Sequence, residues 1–290
     1  MTGFVATIGM FDGVHLGHQF VLRQVVQTAA VRGLRTMAIT FDHSLRPEHV
    51  LTPLAAKQTL LSKAGIDSVE VLSFTDELRR MTAREFMRQV LKERLNVKVL
   101  LTGYDNRFGY NREEGFDDYV RYGRELGIEV LQLPAEGDIS SSHIRRLLAE
   151  GCVAEATKCL GHPYIIQGCV IHGEHIGTNL GYPTANLLPD DTYQLIPAAG
   201  VYAVRVTLHS SLHTLSGMMN IGTRPTFDGH EQTLEVHILH FDHDIYGQPI
   251  SVEFVSRLRE ERRFNSMEAL KEQLNQDAIQ AEQVIKESSR

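Results

Sequence analysis

The sequence has little cysteine, no apolar stretch long enough to span a bilayer and no excess of basic residues. Its three cysteines, Cys152, Cys159 and Cys169, form no short-spaced cluster, so we expect reduced, small apolar side chains and no disulfide framework. No basic segment followed by an apolar run opens the chain, as a secretory signal would require. These absences predict a soluble protein of the cytoplasm.

The formal net charge of −7 argues against a general binder of nucleic acids or anionic membranes, which are held largely by basic surfaces. A small phosphorylated ligand stays compatible, because a local site can be positive on an acidic protein. The 42% hydrophobic and 22% charged content is typical of a soluble globular protein. With 290 residues, the chain can form two domains that each bury a core.

The most informative stretch lies near the start of the sequence. An apolar strand over residues 4–8 leads into a turn holding Gly9 and Gly13, and a helix opens near His15. His15 and His18 share one helical face beside backbone N–H groups that lack intrahelical partners and carry the positive end of the helix dipole. Glycines let the backbone approach a ligand closely. Ordinary surface histidines are the alternative, but this spacing favours a phosphate site.

Residues 9–19, Gly-Met-Phe-Asp-Gly-Val-His-Leu-Gly-His-Gln, resemble a known signature. The H-x-G-H core is similar to that of the nucleotidyltransferase superfamily. The longer form resembles the bifunctional riboflavin kinase/FMN adenylyltransferases of bacteria, also called FAD synthetases. The resemblance implies that His15 and His18 are catalytic in adenylyl transfer. The implied nucleotide-binding positions in this stretch are Gly9, Phe11, Gly13 and Gly17.

Strand and helix patterns alternate regularly through the first half of the chain. The predicted strands cover residues 4–8, 34–41, 68–74, 97–102 and 128–133. The predicted helices cover residues 19–32, 54–64, 82–95 and 115–126. This alternation predicts an α/β, Rossmann-like parallel sheet with helices on both faces and a ligand site beyond the carboxyl ends of the strands.

Two further stretches of the first half match the family. Residues 103–109, Gly-Tyr-Asp-Asn-Arg-Phe-Gly, resemble its Gly-x-Asp-Phe-x-Phe-Gly loop, with Asn106 in place of an aromatic residue. The resemblance implies that Asp105 and Phe108 line the flavin-nucleotide and adenylate pocket; an ordinary polar turn is the alternative.

Residues 140–145, Ser-Ser-Ser-His-Ile-Arg, resemble the family's Ser-Ser-Thr-Arg-Ile-Arg, with His143 in place of the first arginine. Serines here cap a helix over residues 144–150, whatever else they do. The resemblance implies that the segment binds the triphosphate and that Arg145 neutralises charge on the leaving pyrophosphate. The implied phosphate-binding serines are Ser140, Ser141 and Ser142.

The pattern changes after Gly161-His162-Pro163, which marks the predicted boundary between domains 1–160 and 161–290. A short helix over residues 152–160 precedes it. Segments rich in β-formers follow without crossover helices, which favours an antiparallel barrel or sandwich, closed by an amphipathic helix over residues 266–287. The predicted strands cover residues 164–172, 201–209, 214–221, 233–240 and 250–257.

A glycine-rich loop over residues 173–186 resembles the riboflavin kinase signature Gly-x-x-Gly-Tyr-Pro-Thr-Ala-Asn. Gly173, Gly177 and Gly181 suit a backbone that wraps a phosphate; a plain connector is the alternative. Thr184 and Asn186 offer the hard oxygen ligands that suit Mg²⁺, which prefers few protein oxygens together with nucleotide phosphates.

Glu235 lies on a predicted strand, on the face opposite Leu234, Val236 and Ile238. From this alternation alone, Glu235 would be interpreted as a solvated carboxylate on a half-exposed strand. The resemblance makes it the general base that takes a proton from the riboflavin hydroxyl. The same resemblance makes Arg259 a candidate contact to the flavin phosphate.

The sequence therefore predicts a bifunctional enzyme that phosphorylates riboflavin to FMN and then adenylylates FMN to FAD, releasing pyrophosphate. Mg²⁺ is the expected cofactor and ATP the co-substrate; riboflavin and FMN are the other ligands, and weak self-association is compatible with the sequence. Three alternatives stay open. They are a riboflavin kinase whose adenylyltransferase half is impaired at Asn106 and His143, a non-catalytic flavin-responsive regulator, and an adenylyltransferase acting on a non-flavin phosphate.

Overall fold

The computed structural model describes residues 3–42, 49–104, 106–134, 137, 139–172, 181–209, 214–226 and 229–288. The chain divides into two compact units, Met1–Ser141 and Ser142–Arg290. The predicted domain boundary falls later, at the end of a short helix over Val153–Leu160.

The first unit is built on a five-stranded parallel sheet in the order β3-β2-β1-β4-β5. The strands are β1 (Phe4–Ile8), β2 (Arg35–Phe41), β3 (Ser68–Leu72), β4 (Val97–Thr102) and β5 (Glu129–Gln132). The strand order reverses between the central β1 and its neighbour β4. A crevice therefore opens at the carboxyl ends of these strands, where open α/β sheets bind their ligands.

Helices cover both faces of this sheet, as predicted. They are α1 (Leu16–Arg32), α2 (Leu54–Lys63), α3 (Asp76–Arg80), α4 (Ala83–Phe86) and α5 (Phe116–Leu126), with a 3₁₀ turn at Tyr110–Arg112. One core joins Leu22 of α1 and Leu61 of α2 to the sheet, and a second joins Met87 and Tyr119 to the opposite face. Strand side chains alternate between the two cores because successive residues point to opposite faces.

The predicted helix over residues 82–95 needs a correction. Only its first turn, α4, is α-helical, and it continues as a π-helix over Met87–Arg94. The capping box of Thr82 and Glu85 fixes the start of α4, because each side chain bonds the other's backbone N–H. The apolar residues of this segment are spaced in a way that fits either an α-helix or a π-helix, so the sequence pattern could not reveal the π-helix.

The second unit is a closed antiparallel barrel in the order β10-β7-β6-β11-β8-β9. It begins with α6 (Ser141–Ala149), which starts at the boundary residue, and α7 (Val153–Leu160). The strands are β6 (Tyr164–Ile171), β7 (Ala185–Pro189), β8 (Gly200–Leu208), β9 (Thr214–Thr226), β10 (Gly229–Ile238) and β11 (Pro249–Arg259). The terminal helix is α8 (Met267–Glu287). The barrel, rather than the sandwich, is the observed alternative, so the predicted fold class is confirmed.

One strand was missing from the sequence prediction. β7 begins at the end of the stretch expected to be a loop, residues 173–186, and it pairs with both β6 and β10. Its five residues follow a stretch rich in glycine with a proline, residue types that indicate a loop, so the strand pattern was not recognised. Without β7 the barrel would not close, so this short strand brings Asn186 into the sheet and Thr184 to its edge.

Arg257 fastens the start of the second unit to its barrel. Its Nη2 donates to the Ala199 carbonyl at 2.5 Å and its Nη1 to the Glu150 carbonyl at 3.5 Å. Gly151 leaves room for it, since a Cβ there would lie 2.8 Å from the Arg257 Cδ. This contact explains why α6 and α7 belong to the same compact unit as the barrel.

Candidate functional sites

The turn between β1 and α1 forms the centre of the first site. Phe11 (φ 47°), Gly13 (φ 85°) and Val14 (φ 38°) adopt left-handed backbone conformations, which a β-branched residue such as Val14 rarely does. His15 is the N-cap of α1, and its Nδ1 accepts from the His18 N–H at 3.4 Å. Strained backbone of this kind is concentrated at functional sites, where the surrounding structure enforces it.

The two predicted histidines are stacked on each other. Their ring centroids are 3.7 Å apart with an interplanar angle of 21°, and the Phe11 ring meets His18 edge-on at 5.3 Å. Gly17 permits this arrangement, because a Cβ there would lie 3.3 Å from the His15 imidazole. Gly9 likewise leaves space for the Phe11 ring, 3.2 Å from where its Cβ would be.

Burial keeps both rings neutral at pH 7. It lowers the pKa of His15 from 6.5 to about 4. It also lowers the pKa of His18 well below its usual value, and electrostatic repulsion of a protonated His18 by the neighbouring His15 and Lys57 adds to that effect. The buried Nδ1 of His18 has no hydrogen-bond partner among the described residues. Such an atom is uncommon in a protein interior and is consistent with a site built to receive a polar ligand.

Several side chains hold the carbonyl groups of this turn. The Met10 carbonyl accepts from the Thr40 Oγ1 at 3.1 Å and from the Lys57 Nζ at 3.2 Å. The Ile8 carbonyl accepts from the Asn106 Nδ2. Asn106 thus replaces the family's aromatic residue with a hydrogen bond to the end of the central strand.

Asp12 fixes the turn on its other side. Asp12 is 8% exposed, and its carboxylate accepts from the backbone N–H groups of Leu51 at 2.9 Å and Thr52 at 3.1 Å. Its carbonyl accepts from the Ser141 Oγ at 2.9 Å, so the structure brings predicted residue Ser141 to the histidine turn.

Phe108 lies in the core of the first unit, with 9% of its surface exposed. Its ring stacks on Tyr119 with centroids 4.1 Å apart, and its N–H donates to the Tyr119 hydroxyl at 2.9 Å. These contacts give Phe108 a packing role. Its role in lining a flavin pocket stays a prediction.

In the second unit, strand register assembles the predicted kinase residues. Glu235 of β10 lies directly opposite Asn186 of β7 on one side and Asn220 of β9 on the other. Thr184 immediately precedes β7. Glu235 and these neighbours therefore share one face of the sheet. The predicted alternation is confirmed, since Leu234, Val236 and Ile238 are buried on the opposite face.

His237 supports this face and was not selected from the sequence. It lies two residues beyond Glu235, and its Nδ1 donates to the Pro183 carbonyl at 2.7 Å. The Tyr182 ring meets it at 5.1 Å. Burial lowers the pKa of His237, and the hydrogen bond to Pro183 opposes that shift. His237 thereby fixes Pro183, the residue before Thr184. The sequence signal for His237 was its alternation with Glu235, which places both residues on one face of the strand.

Arg259 is engaged with the terminal helix. Its Nε and Nη2 donate to the carboxylate of Asp277 at 2.9 and 2.8 Å, and Asp277 is 1% exposed. Its guanidinium also lies over the Phe264 ring at 5.6 Å. These contacts tie α8 to β11. A contact from Arg259 to a flavin phosphate stays a prediction.

The remaining predicted site residues either lie outside the described residues or are located by their place in the backbone. Asp105, Gly173 and Gly177 lie outside the described residues. Gly181 precedes β7 with a left-handed backbone (φ 81°). Ser140 directly precedes α6, whose first turn contains Ser142 and which also carries Arg145. In the described part of the chain, no group of three or more His, Cys, Asp or Glu residues could hold a metal ion.

Comparison with known families defines the class of the protein. Residues 1–144 match the family model for FAD synthetase, and residues 160–285 match the model for riboflavin kinase. The chain is thus a two-part transferase of the flavin-nucleotide class, with a nucleotidyltransferase half followed by a flavokinase half.

Full-length relatives specify the family. The chain is 38% identical to the bifunctional riboflavin kinase/FMN adenylyltransferase of Listeria monocytogenes, over 94% of this chain and 90% of the relative. It is 38% identical to that of Escherichia coli K12 (96% and 92%) and 33% identical to that of Bacillus subtilis (96% and 91%). The chain belongs to the bifunctional riboflavin kinase/FMN adenylyltransferase family, and the predicted family is confirmed.

A solved structure shares the fold. A protein from Streptococcus pneumoniae described as a macrolide-efflux protein is 32% identical, covers 96% of this chain and 93% of its own, and superposes with a TM-score of 0.86. Among the residues described in the present structure, no helix is both long and apolar enough to cross a lipid bilayer.

Proposed function

We propose that this chain catalyses both steps from riboflavin to FAD, as the names of its relatives imply. The observation that carries the proposal is the presence of two chemically different sites, one in each half. The first has a buried, neutral histidine pair at the switch point of a parallel sheet. The second has a carboxylate between two asparagines on adjoining strands. One suits adenylyl transfer and the other suits attack by an alcohol.

In the adenylyl transfer, an oxygen of the FMN phosphate attacks the α-phosphorus of ATP, and the bond to the leaving pyrophosphate breaks. His15 and His18 donate hydrogen bonds as neutral imidazoles at the start of α1, where free backbone N–H groups add to the stabilisation. No side chain becomes covalently attached, so catalysis is positioning together with preorganised electrostatics. Arg145 stabilises the pyrophosphate. The remaining proposed ligand contacts are Gly9, Phe11, Gly13, Gly17, Asp105, Phe108, Ser140, Ser141 and Ser142.

In the kinase step, Glu235 accepts the proton of the riboflavin hydroxyl while its oxygen attacks the γ-phosphorus of ATP and ADP leaves. Asn186 lies opposite Glu235, and His237 fixes Pro183 ahead of Thr184. Gly173, Gly177 and Gly181 are the proposed backbone contacts to phosphate, and Arg259 is the proposed contact to the flavin phosphate.

The donor set around Glu235 suits Mg²⁺. Thr184 and Asn186 offer a hydroxyl and an amide oxygen beside a carboxylate, all hard ligands. These two residues would hold the ion, which when bound neutralises charge on the transferring phosphates. We further propose adenylyltransferase and kinase domains over residues 1–160 and 161–290, a cytoplasmic location and weak self-association.

One incubation of the purified chain with riboflavin, ATP and Mg²⁺, with flavins separated by chromatography over time, tests the proposal. We expect FMN to rise and then give way to FAD. Accumulation of FMN without FAD would support the kinase-only alternative. If neither product forms, the chain is a binding protein and the proposal is wrong. A parallel incubation with a chelator in place of Mg²⁺ should stop both products.

A further inference from the structure

A buried lysine lies directly beneath the histidine turn. Lys57, on α2, is 3% exposed, although lysine is almost never buried to this extent without partners. Its Nζ donates to the carbonyl of Met10, just beyond β1, and to the carbonyl of Phe41, the last residue of β2, both at 3.2 Å. The ammonium therefore joins the carboxyl ends of two adjacent strands at the edge where the first site lies.

The contact to Met10 acts on the strained part of the turn. Met10 is followed at once by Phe11, whose backbone is left-handed and whose ring packs edge-on against His18. A second buried donor, the Thr40 hydroxyl, binds the same carbonyl at 3.1 Å. Two donors thus fix the one peptide group that sets the position of Phe11, and Phe11 in turn contacts the catalytic ring.

The charges around Lys57 are arranged to keep the ammonium in place. Burial lowers its pKa, while the nearby carboxylates of Asp12 and Asp42 oppose that shift. Asp12 belongs to the turn itself and holds the backbone of Leu51 and Thr52. The turn is consequently held from β2, from α2 and from the segment before α2.

We propose that Lys57 is a positioning residue for adenylyl transfer, whose ammonium fixes the Met10 carbonyl and so orients the stacked histidines toward the triphosphate. This inference rests on the proposed adenylyltransferase activity of the first unit. Lys57 does not itself touch the substrate in this role. Its removal should slow the chemical step more than it weakens substrate binding, because the histidines act on charge that develops in the transition state.

The test compares Lys57→Met with Lys63→Met in the full-length chain. Methionine keeps an unbranched, apolar side chain and removes the ammonium, and Lys63 is an exposed lysine on the same helix. FMN and ATP are the substrates, and kcat and KM for FAD formation are measured separately. Riboflavin phosphorylation by the same preparation and the thermal unfolding profile report whether the protein is intact.

We expect Lys57→Met to lower kcat for FAD formation about 100-fold, as a misplacement of about 1 Å can. We expect KM for both substrates to stay within about threefold and FMN formation to stay unchanged, since uniform binding is not affected. Lys63→Met should match the wild type. A kcat close to that of the wild type, or a rise in KM with unchanged kcat, would overturn the proposal.

A second variant covers the case in which Lys57→Met does not fold. Thr40→Val removes the other donor to the Met10 carbonyl and keeps the side-chain shape, so we expect about a fivefold loss of kcat. A wild-type kcat in Thr40→Val would then overturn the proposal. If the unmodified chain forms FMN but no FAD, the proposed activity of the first unit fails and the Lys57 proposal with it. FAD formation at the wild-type rate by Lys57→Met refutes Lys57 alone.

Discussion

The two candidate sites place their key side chains by different structural means. In the first unit, a left-handed turn held by side chains brings two histidines into stacking contact. In the second unit, the register of three adjoining strands aligns Asn186, Glu235 and Asn220. A turn of this kind depends on distant donors such as Lys57, whereas register follows from the pairing of whole strands. The first site should therefore be more sensitive to substitutions outside it.

The sites also differ in their electrostatics. The histidines are buried and kept neutral, so they can donate hydrogen bonds without a fixed charge. Glu235 is only half-buried, on the face opposite a fully apolar row. A neutral donor pair suits stabilisation of developing negative charge, and a partly accessible carboxylate suits proton acceptance. The two activities should therefore respond separately to substitutions at the two sites.

The largest effect is expected at Glu235. Glu235→Gln keeps the shape of the side chain but removes the base, so FMN formation should fall by about 10²- to 10⁴-fold. FAD formation from supplied FMN should continue. Initial rates with riboflavin or with FMN as substrate measure the two activities, and the exposed Glu272→Gln serves as control. Loss of both activities would contradict the separation of the sites.

His18→Ala should produce the reverse pattern. FAD formation should fall by about 10²- to 10³-fold, the cost of removing one preorganised donor, while FMN formation stays intact. The same two assays, run beside the exposed barrel variant His209→Ala, check this result. A variant that lost FMN formation as well would show that the first unit is needed for the kinase reaction.

The stability of the first unit should fall in acid because of the buried histidines. The pKa of His15 is about 4 in the folded state against 6.5 when exposed, so folding favours the neutral ring. The stabilisation of the folded state by neutral His15 is complete above about pH 6.5 and is lost as the pH falls through about 4. It amounts to about 3 kcal/mol of the free energy of unfolding. Thermal unfolding followed across this range should show a shallower decline for His15→Asn than for the wild type.

The matched control for this decline is His243→Asn. His243 has a largely exposed side chain in the second unit, so its replacement should leave the acid profile unchanged. If His15→Asn and the wild type lose stability in parallel, the folded-state pKa of His15 is not depressed, and the neutral-imidazole argument for the first site fails.

The smallest effect is expected at Asn106. Asn106→Phe restores the aromatic residue of the family but removes the hydrogen bond to the Ile8 carbonyl, at a cost of about 1 kcal/mol, or about fivefold in FAD formation. Asn106→Leu separates the lost amide from the added ring, and both rates are measured with FMN and ATP. Faster FAD formation by Asn106→Phe would instead favour the impaired-adenylyltransferase alternative.

Much of the fold could be predicted because local pattern and tertiary structure agree. The alternation of apolar strands and helices gave the five parallel strands, and the loss of crossover helices gave the antiparallel second unit. The single-residue alternation around Glu235 correctly predicted its face. The short strand β7 and the π-helix escaped prediction, since neither has a distinctive periodicity.

Sequence motifs located most of the candidate site but not its supporting residues. His15 and His18 could be selected because their spacing and the preceding turn are local features. Lys57 could not be selected, because a lysine on a helix is normally solvated. The available sequence signal was its i, i+4 spacing to the apolar Leu61, which lies on the buried face of the same helix. The supporting role of His237 could not be predicted either, because it depends on the Pro183 carbonyl lying beside the His237 ring in the folded chain.

The sequence by itself determined the two-part architecture and the family, and it selected the candidate residues at both sites. These properties depend on short-range patterns, which the order of residues contains directly. Only the tertiary structure decided that the histidines are stacked and neutral, that Glu235 lies between two asparagines and that Arg259 pairs with Asp277. Burial, strand register and ion pairing depend on residues far apart in the chain, and these become neighbours only on folding.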